Sequence, residues 1–255
     1  RMFAHAAYLH DTESLMVPTV GRELLHGHAA DWIHYQYEVY QGAILVDGAL
    51  SALGFVLFGD QLLAWHWYSL LYLVGIAVAG MAILRRSSGT AGALAFPLLL
   101  AAAPFLIKDG LITPMGHHAT GPFFALAALA VALGGPGRGP DGSGPRTLTV
   151  GRAFAAGLVL GVGCWYMRTV IAAVPALALA VLPGGRRALG AAAAGFMAYP
   201  LLTGINCWFF TQHVDPYTEW GFWTTLGASM ASPRALAAAV DPVNKSMEAL
   251  ALPFR

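Results

Sequence analysis

Apolar stretches of roughly 16 to 20 residues recur along this chain of 255 residues, and they constrain its fold more than any other feature. A helix of about 20 apolar residues matches the hydrocarbon thickness of a bilayer. Charged residues make up only 11% of the chain, whereas soluble globular domains carry about 25%. This composition excludes a disordered chain and a soluble enzyme, and a net charge of +1 excludes a strongly basic nucleic-acid binder. The sequence therefore predicts an all-α fold, a polytopic bundle of transmembrane helices.

The distribution of apolar and polar residues divides the chain into three regions. Residues 1–42 are polar, aromatic and rich in histidine, and we expect a loop with a juxtamembrane helix. Residues 43–210 predict a bundle of about six spans, and the tail 211–255 is polar and aromatic again. The predicted spans are 65–84, 91–107, 119–133, two within 153–183, and 188–210. The polar start and the abrupt end favour a fragment of a longer protein.

Two segments need a special interpretation. Residues 153–183 are apolar for 31 positions except at Arg168, which is too long for one ordinary crossing. We therefore expect two short helices that meet near Arg168. The stretch 43–59 is apolar but contains Asp47 in its first half, and a carboxylate facing lipid is costly. A surface or re-entrant helix is the interpretation of this stretch.

Basic residues in short loops orient the predicted bundle. Seven of the fourteen Lys and Arg residues lie in three such loops, and the positive-inside rule assigns these loops to the cytoplasm: Arg85, Arg86, Arg138, Arg146, Arg152, Arg186 and Arg187. Residues 1–42, the loop 108–118 and the tail are then extracytoplasmic. All nine histidines lie on or near that side. We therefore expect the functional surface to be the outer one.

Carboxylates in the first region are the leading catalytic candidates. Asp11 and Glu13 precede an amphipathic stretch that ends at Gly27. Asp11 or Thr12 is suited to cap the helix, because a side-chain oxygen there accepts hydrogen bonds from unpaired backbone N–H groups. The alternative is a general base at the membrane surface. Both interpretations remain open from the residues alone.

Further polar side chains are candidate substrate contacts, each with a structural alternative. Tyr35 and Tyr37 lie in an aromatic segment that is typical either of an interfacial belt or of a wall for a sugar. Lys108 stands at the outer end of a span, and adjacent histidines on a helix diverge too far to indicate zinc. Arg168 indicates either interfacial snorkelling or phosphate binding. The candidate substrate-binding residues are Tyr35, Tyr37, Lys108, His117, His118 and Arg168, and no metal ligand is assigned.

Several motifs occur in the order found in one enzyme class. An acid at Asp11 precedes a helix that ends in ELLHG, and YEVYQG at 37–42 leads into an apolar stretch that ends in LFG. A span then closes with two arginines and a small-residue restart, LRRSSGTAGALAFPLLL. MGHH, WYMRTV and GFMAYPLLTGINCW follow in that order. The chain resembles the GT-C class of membrane glycosyltransferases, and more closely the bacterial dolichyl-phosphate-mannose-protein mannosyltransferase-like (family 39-like) proteins, over nearly all of residues 8–210.

The resemblance implies a fold, a reaction and a location. It implies a transmembrane bundle whose extracytoplasmic first loop carries surface-lying helices, in the bacterial cytoplasmic membrane with the active face outside. Its members transfer a sugar from a polyprenyl-phosphate donor to an acceptor hydroxyl, with inversion and one carboxylate as general base. The class places the base in an Asp-Glu pair, whereas this chain has Asp-Thr-Glu, so Asp11 and Glu13 both remain candidates.

The resemblance also concerns cofactors and partners. Some members use a divalent metal ion, but no cluster in this sequence requires one, and no cofactor is assigned. The expected partners are the lipid-linked donor, membrane lipid and a protein or glycan acceptor, with no nucleic acid. Two other functions remain open, a non-catalytic scaffold of the same fold and a secondary transporter or flippase. The absence of an inverted repeat and the concentration of polar residues on one face argue against the transporter.

Overall fold

The computed structural model describes residues 12–27, 41–59, 62–103, 119–134 and 148–206, with helical backbone but no side-chain detail at 12–16, 41–45, 62 and 206. Within these ranges the chain is helical and contains no strand. The helices are α1 (Thr12–Leu25), α2 (Gln41–Phe58), α3 (Leu62–Ala102), α4 (Thr120–Leu133), α5 (Val150–Tyr166), α6 (Val174–Val181), α7 (Gly185–Phe196) and α8 (Ala198–Asn206). Two 3-10 segments, Arg168–Ala173 and Leu182–Gly184, flank α6. The all-α prediction is confirmed for the described part of the chain.

The long helix α3 folds back on itself at Gly89. Gly89 has φ 69° and ψ −164°, a backbone conformation that only glycine adopts without strain. In a continuous helix, Gly80 and Phe96 would be about 24 Å apart along the axis, at 1.5 Å per residue. In the structure a Cβ added to Gly80 would lie 2.2 Å from the Phe96 ring. α3 is therefore a hairpin of two arms, and Arg85 and Arg86 lie close to its turn.

A second break separates α5 from α6, beside Arg168. Met167 is extended, with φ −149° and ψ 113°, and it ends α5 one residue before the 3-10 segment begins. Gly185, with φ 72°, then allows the turn between the second 3-10 segment and α7, directly before Arg186. The predicted break near Arg168 is confirmed. A glycine with positive φ lies close to each pair of arginines, Gly89 after the first pair and Gly185 before the second.

Helix α5 is the centre of the larger of two cores. It packs against α4, α7 and α8, and the core residues are mostly small, such as Ala153, Ala156 and Ala192. The closest approach is between α5 and α7, where a Cβ added to Gly157 would lie 2.0 Å from the carbonyl oxygen of Ala192. Such backbone contact through small residues is typical of helices that associate in membranes.

The second core joins α1, α2 and both arms of α3 to the end of α5. Its buried side chains include Val17, Tyr68, Tyr72 and Ile76, and Tyr166 reaches it from α5. Aromatic residues replace the alanines of the first core here. This core surrounds the buried polar side chains described below.

The surface of the described helices is apolar. Leu98 and Leu179 are 70% exposed and Val56 is 67% exposed, whereas the fully buried side chains include Asp47 and Ser51. Two segments, Leu63–Ala102 and Arg168–Ile205, are long and apolar enough to cross a membrane, and three shorter apolar helices accompany them. Exposed apolar surface of this extent is costly in water and is satisfied by lipid.

Candidate functional site

Asp47 is a buried carboxyl group inside the second core. It lies in the second turn of α2, an otherwise apolar helix, and is 0% exposed. Ser51 follows four residues later and therefore lies on the same face of α2, and it is also 0% exposed. The sequence favours a surface or re-entrant placement of this stretch, because a carboxylate that faces lipid is costly. In the structure Asp47 faces protein, so this cost does not arise.

Two tyrosine hydroxyls bind the same oxygen of Asp47. The Tyr72 hydroxyl is hydrogen-bonded to Oδ1 of Asp47 over 2.8 Å, and the Tyr166 hydroxyl is hydrogen-bonded to the same oxygen. The two phenolic oxygens are themselves 2.5 Å apart. The three residues come from α2, α3 and α5, so this cluster, the Asp47–Tyr72–Tyr166 triangle, connects three helices that are distant in sequence.

Aromatic packing holds both tyrosines in position. The rings of Tyr72 and Tyr166 meet edge to face, with centroids 6.2 Å apart. Phe123 packs 5.5 Å from the Tyr72 ring, and Phe124 packs 5.2 Å from the Tyr166 ring. Gly75 leaves the space for one of these rings, since a Cβ there would lie 2.4 Å from Phe123. The hydroxyls are therefore aimed at Asp47 by packing as well as by hydrogen bonds.

Two buried oxygens at this site have no hydrogen-bond partner in the part of the chain that the structure describes. They are Oδ2 of Asp47 and Oγ of Ser51. Burying a polar atom without a partner costs roughly 1–3 kcal/mol by mutational measures, so such atoms are rare in helical cores. An orphaned carboxyl oxygen in an apolar bundle marks a functional candidate.

Helix α1 packs directly on α2 beside this cluster. Val17 and Val20 are buried, and a Cβ added to Gly21 would lie 2.9 Å from the side chain of Ser51. The Arg22 guanidinium lies over two aromatic rings, 5.3 Å from that of Phe55 and 5.4 Å from that of Trp65. Cation–π contacts and the close approach at Gly21 thus fix α1, whose first turn carries Glu13, against α2.

An open groove lies where α5 breaks. It has a volume of about 520 Å³ and is lined by the start of α4 and by the 3-10 segment, at Gly121, Pro122, Ala125, Met167, Thr169, Val170, Ala172 and Ala173. The lining is apolar except for the Thr169 hydroxyl. Arg168 is half-buried and belongs to the same 3-10 segment. Arg168 is not among the described residues that line the groove.

Most site residues predicted from the sequence lie outside the described residues. These are Asp11, Tyr35, Tyr37, Lys108, His117 and His118. Glu13 is described only as backbone in the first turn of α1, and Arg168 begins the first 3-10 segment. No group of three or more His, Cys, Asp or Glu side chains that could hold a metal occurs among the described residues.

The sequence interpretation missed the two tyrosines and Ser51. Asp47 stands out in the sequence because it interrupts an apolar stretch, but its partners do not. The available signal was the presence of hydroxyl side chains inside apolar segments, since an acid within a membrane protein pairs with polar groups of other helices. Comparison of the chain with protein-family models, with curated proteins and with solved structures finds no match.

Proposed function

We propose that the chain is a membrane-embedded glycosyltransferase of the GT-C type, with a polytopic bundle and its active face on the outside of the bacterial cytoplasmic membrane. The reaction moves a sugar from a polyprenyl-phosphate donor to an acceptor hydroxyl with inversion. The observation that carries the proposal is the attachment of α1 to the bundle. Because α1 begins at Thr12 and packs on α2 at Gly21, the helix that carries Glu13 is attached to the bundle.

One carboxylate is sufficient for this reaction. A polyprenyl-phosphate is a good leaving group, so a single displacement needs a base for the acceptor hydroxyl and no enzyme nucleophile. Asp11 or Glu13 takes the proton of that hydroxyl. The oxygen then forms a bond to the anomeric carbon as the bond to the phosphate oxygen breaks.

Cations and aromatic residues complete the proposed site. Arg168 and Lys108 offset the charge that develops on the departing phosphate. The groove at the break of α5 supports binding of the donor, because apolar walls suit its lipid part. Tyr35, Tyr37, His117 and His118 bind the sugar, and the acceptor is a protein or glycan hydroxyl.

The test compares variants of the two acids in lipid nanodiscs with a radiolabelled polyprenyl-phosphate hexose. Asp11→Asn or Glu13→Gln, whichever removes the base, abolishes transfer but leaves donor binding and thermal stability unchanged. Glu23→Gln is the matched control, because it removes a carboxylate from the end of α1 away from the proposed base. Full transfer by the double variant Asp11→Asn/Glu13→Gln would refute the assignment of the base.

A second candidate function is transport, and the Asp47–Tyr72–Tyr166 triangle is the observation that favours it. A transporter needs polar groups inside an apolar bundle, and Asp47 is fully buried there. In that case Asp47→Asn abolishes uptake of substrate into proteoliposomes while the Asp11 and Glu13 variants retain it. The opposite pattern in the transfer assay supports the enzyme.

A further inference from the structure

The Asp47–Tyr72–Tyr166 triangle contains more short oxygen contacts than two hydroxyl protons can bridge. Three oxygens are in mutual contact, Oδ1 of Asp47 and the two phenolic oxygens. A carboxylate donates nothing, and each tyrosine supplies one proton. If both hydroxyls donate to Oδ1, no proton remains between the phenolic oxygens, which are 2.5 Å apart. Two oxygen lone pairs at that distance repel each other.

A third proton removes this conflict. With a proton on Oδ1, Asp47 donates to one tyrosine, that tyrosine donates to the other, and the second donates back to Oδ1. Each of the three contacts then contains one proton, and every oxygen both donates and accepts. Hydrogen bonds arranged in such a ring strengthen one another, and more so in a low-dielectric interior.

Charge leads to the same arrangement. In the described part of the chain, Asp47 interacts with two neutral hydroxyls and with no cationic group. An ionised carboxylate buried without a cation costs several kcal/mol even after the protein relaxes, whereas a neutral carboxylic acid avoids most of that cost. Oδ2 of Asp47, which has no partner among the described residues, is tolerated better as a neutral carbonyl oxygen than as half of a carboxylate.

Among the described residues, no cationic group contributes to the electrostatics of Asp47. The helices packed against α2 are α1, α3 and α5, and they bring Arg22, Glu23, His66, Tyr68, Tyr72 and Tyr166. Arg22 lies over Phe55, eight residues and therefore about 12 Å along α2 from Asp47. His66 precedes Tyr72 by six residues on α3, which places it about 9 Å away along that helix.

We propose that the Asp47–Tyr72–Tyr166 triangle is a proton-binding site inside the helix bundle. Its ligand is one proton, bound on Oδ1 of Asp47 and shared with the two phenolic oxygens. Release of this proton leaves a buried carboxylate with two donors and restores the repulsion between the tyrosines, so it weakens the junction of α2, α3 and α5. This site is independent of the proposed sugar transfer, whose residues lie elsewhere in the chain.

Infrared difference spectroscopy of the full chain in nanodiscs tests the proposal. At pH 5, where an ordinary aspartate is ionised, the spectrum of the wild type minus that of Asp47→Asn contains the carbonyl stretch of a protonated carboxylic acid, which shifts in D2O. Glu23→Gln is the matched acid-to-amide control, and its difference spectrum gives the background of such a change outside the triangle. Carboxylate bands for Asp47 at pH 5 would overturn the proposal.

A second pair of variants keeps the test decisive if Asp47→Asn does not fold. Tyr72→Phe and Tyr166→Phe retain the acid but remove one hydrogen bond to it, so each shifts the same carbonyl band without deleting it. An unshifted band in both would place the proton on another group and overturn the assignment. A carboxylate band that moves when Na⁺ replaces choline would show that a monovalent cation occupies the site instead, and would also overturn it.

Discussion

The Asp47–Tyr72–Tyr166 triangle makes a quantitative prediction about the two tyrosines. Tyr72→Phe removes two of the three contacts, those to Asp47 and to Tyr166, and Tyr166→Phe also removes two. The double variant removes three, not four, because the contact between the hydroxyls is shared. The two single costs together therefore exceed the cost of the double variant by one hydrogen bond, about 0.5–1.5 kcal/mol. Each single variant lowers the free energy of unfolding by about 1–3 kcal/mol.

The assay is unfolding in mixed micelles titrated with dodecyl sulfate and followed by tryptophan fluorescence. The matched control is a cycle of Tyr68→Phe with Tyr166→Phe. Tyr68 is fully buried one turn before Tyr72, and its side chain makes a hydrogen bond with Ser69. We expect this control pair to be additive within about 0.3–0.5 kcal/mol. Additivity of the Tyr72 and Tyr166 variants within the same limit would refute the shared contact.

Three further predictions concern backbone contacts and Arg168. Gly157→Ala lowers the unfolding free energy by more than about 2 kcal/mol, because its Cβ would lie 2.0 Å from the Ala192 carbonyl oxygen. The control Gly190→Ala, whose Cβ would have no atom within 4 Å, is neutral or stabilising by up to about 1 kcal/mol. Equal effects of the two variants in the same micelle assay would contradict the packing. Gly89→Ala costs about 1–3 kcal/mol because of its positive φ, and unchanged stability would argue against the hairpin. Arg168→Ala raises the Kd of the polyprenyl-phosphate donor more than that of the acceptor, and equal increases would indicate a structural role.

The sequence predicts most of the described helices and the breaks near Arg86 and Arg168, whereas the predicted span 188–210 is divided into α7, Gly185–Phe196, and α8, Ala198–Asn206. The segment 119–133 is one residue longer than the observed α4, Thr120–Leu133, because apolar residues continue to the ends of that helix. The predicted spans 65–84 and 91–107 correspond to the two arms of α3, which separate at Gly89. The second arm ends at Ala102 rather than at Ile107 within the described residues. The length of an apolar segment, a glycine and a pair of arginines are features of neighbouring residues, so they can be identified without a structure.

The polar cluster could not be predicted in the same way. Tyr72 and Tyr166 are 25 and 119 residues from Asp47, and only the packing of α2 against α3 and α5 brings them together. No period or motif encodes such a pairing in a single sequence. The placement of α1 on α2 is similar, since it depends on a close approach at Gly21 that its neighbours in sequence do not indicate.

Some of the predicted site stays a prediction. Asp11 and Lys108 are polar positions in segments outside the described residues, and Glu13 is described only as backbone. Arg168 was singled out because a cation inside an apolar segment needs a partner or an aqueous surface, and it lies beside the open groove at the break of α5. Burial cost thus singles out Asp47 and Arg168 in the sequence, whereas Ser51 and His66 are further buried polar residues of the apolar helices.

Transfer by the wild-type chain tests the central claim most directly. The chain in nanodiscs is mixed in excess with radiolabelled polyprenyl-phosphate hexose and a mixture of hydroxyl acceptors, and the label that remains on lipid is measured over time. The account predicts that label leaves the lipid at a rate set by the concentration of the chain, and that the double variant Asp11→Asn/Glu13→Gln releases none. Label that stays on lipid at every concentration of a correctly folded, donor-binding chain would contradict it.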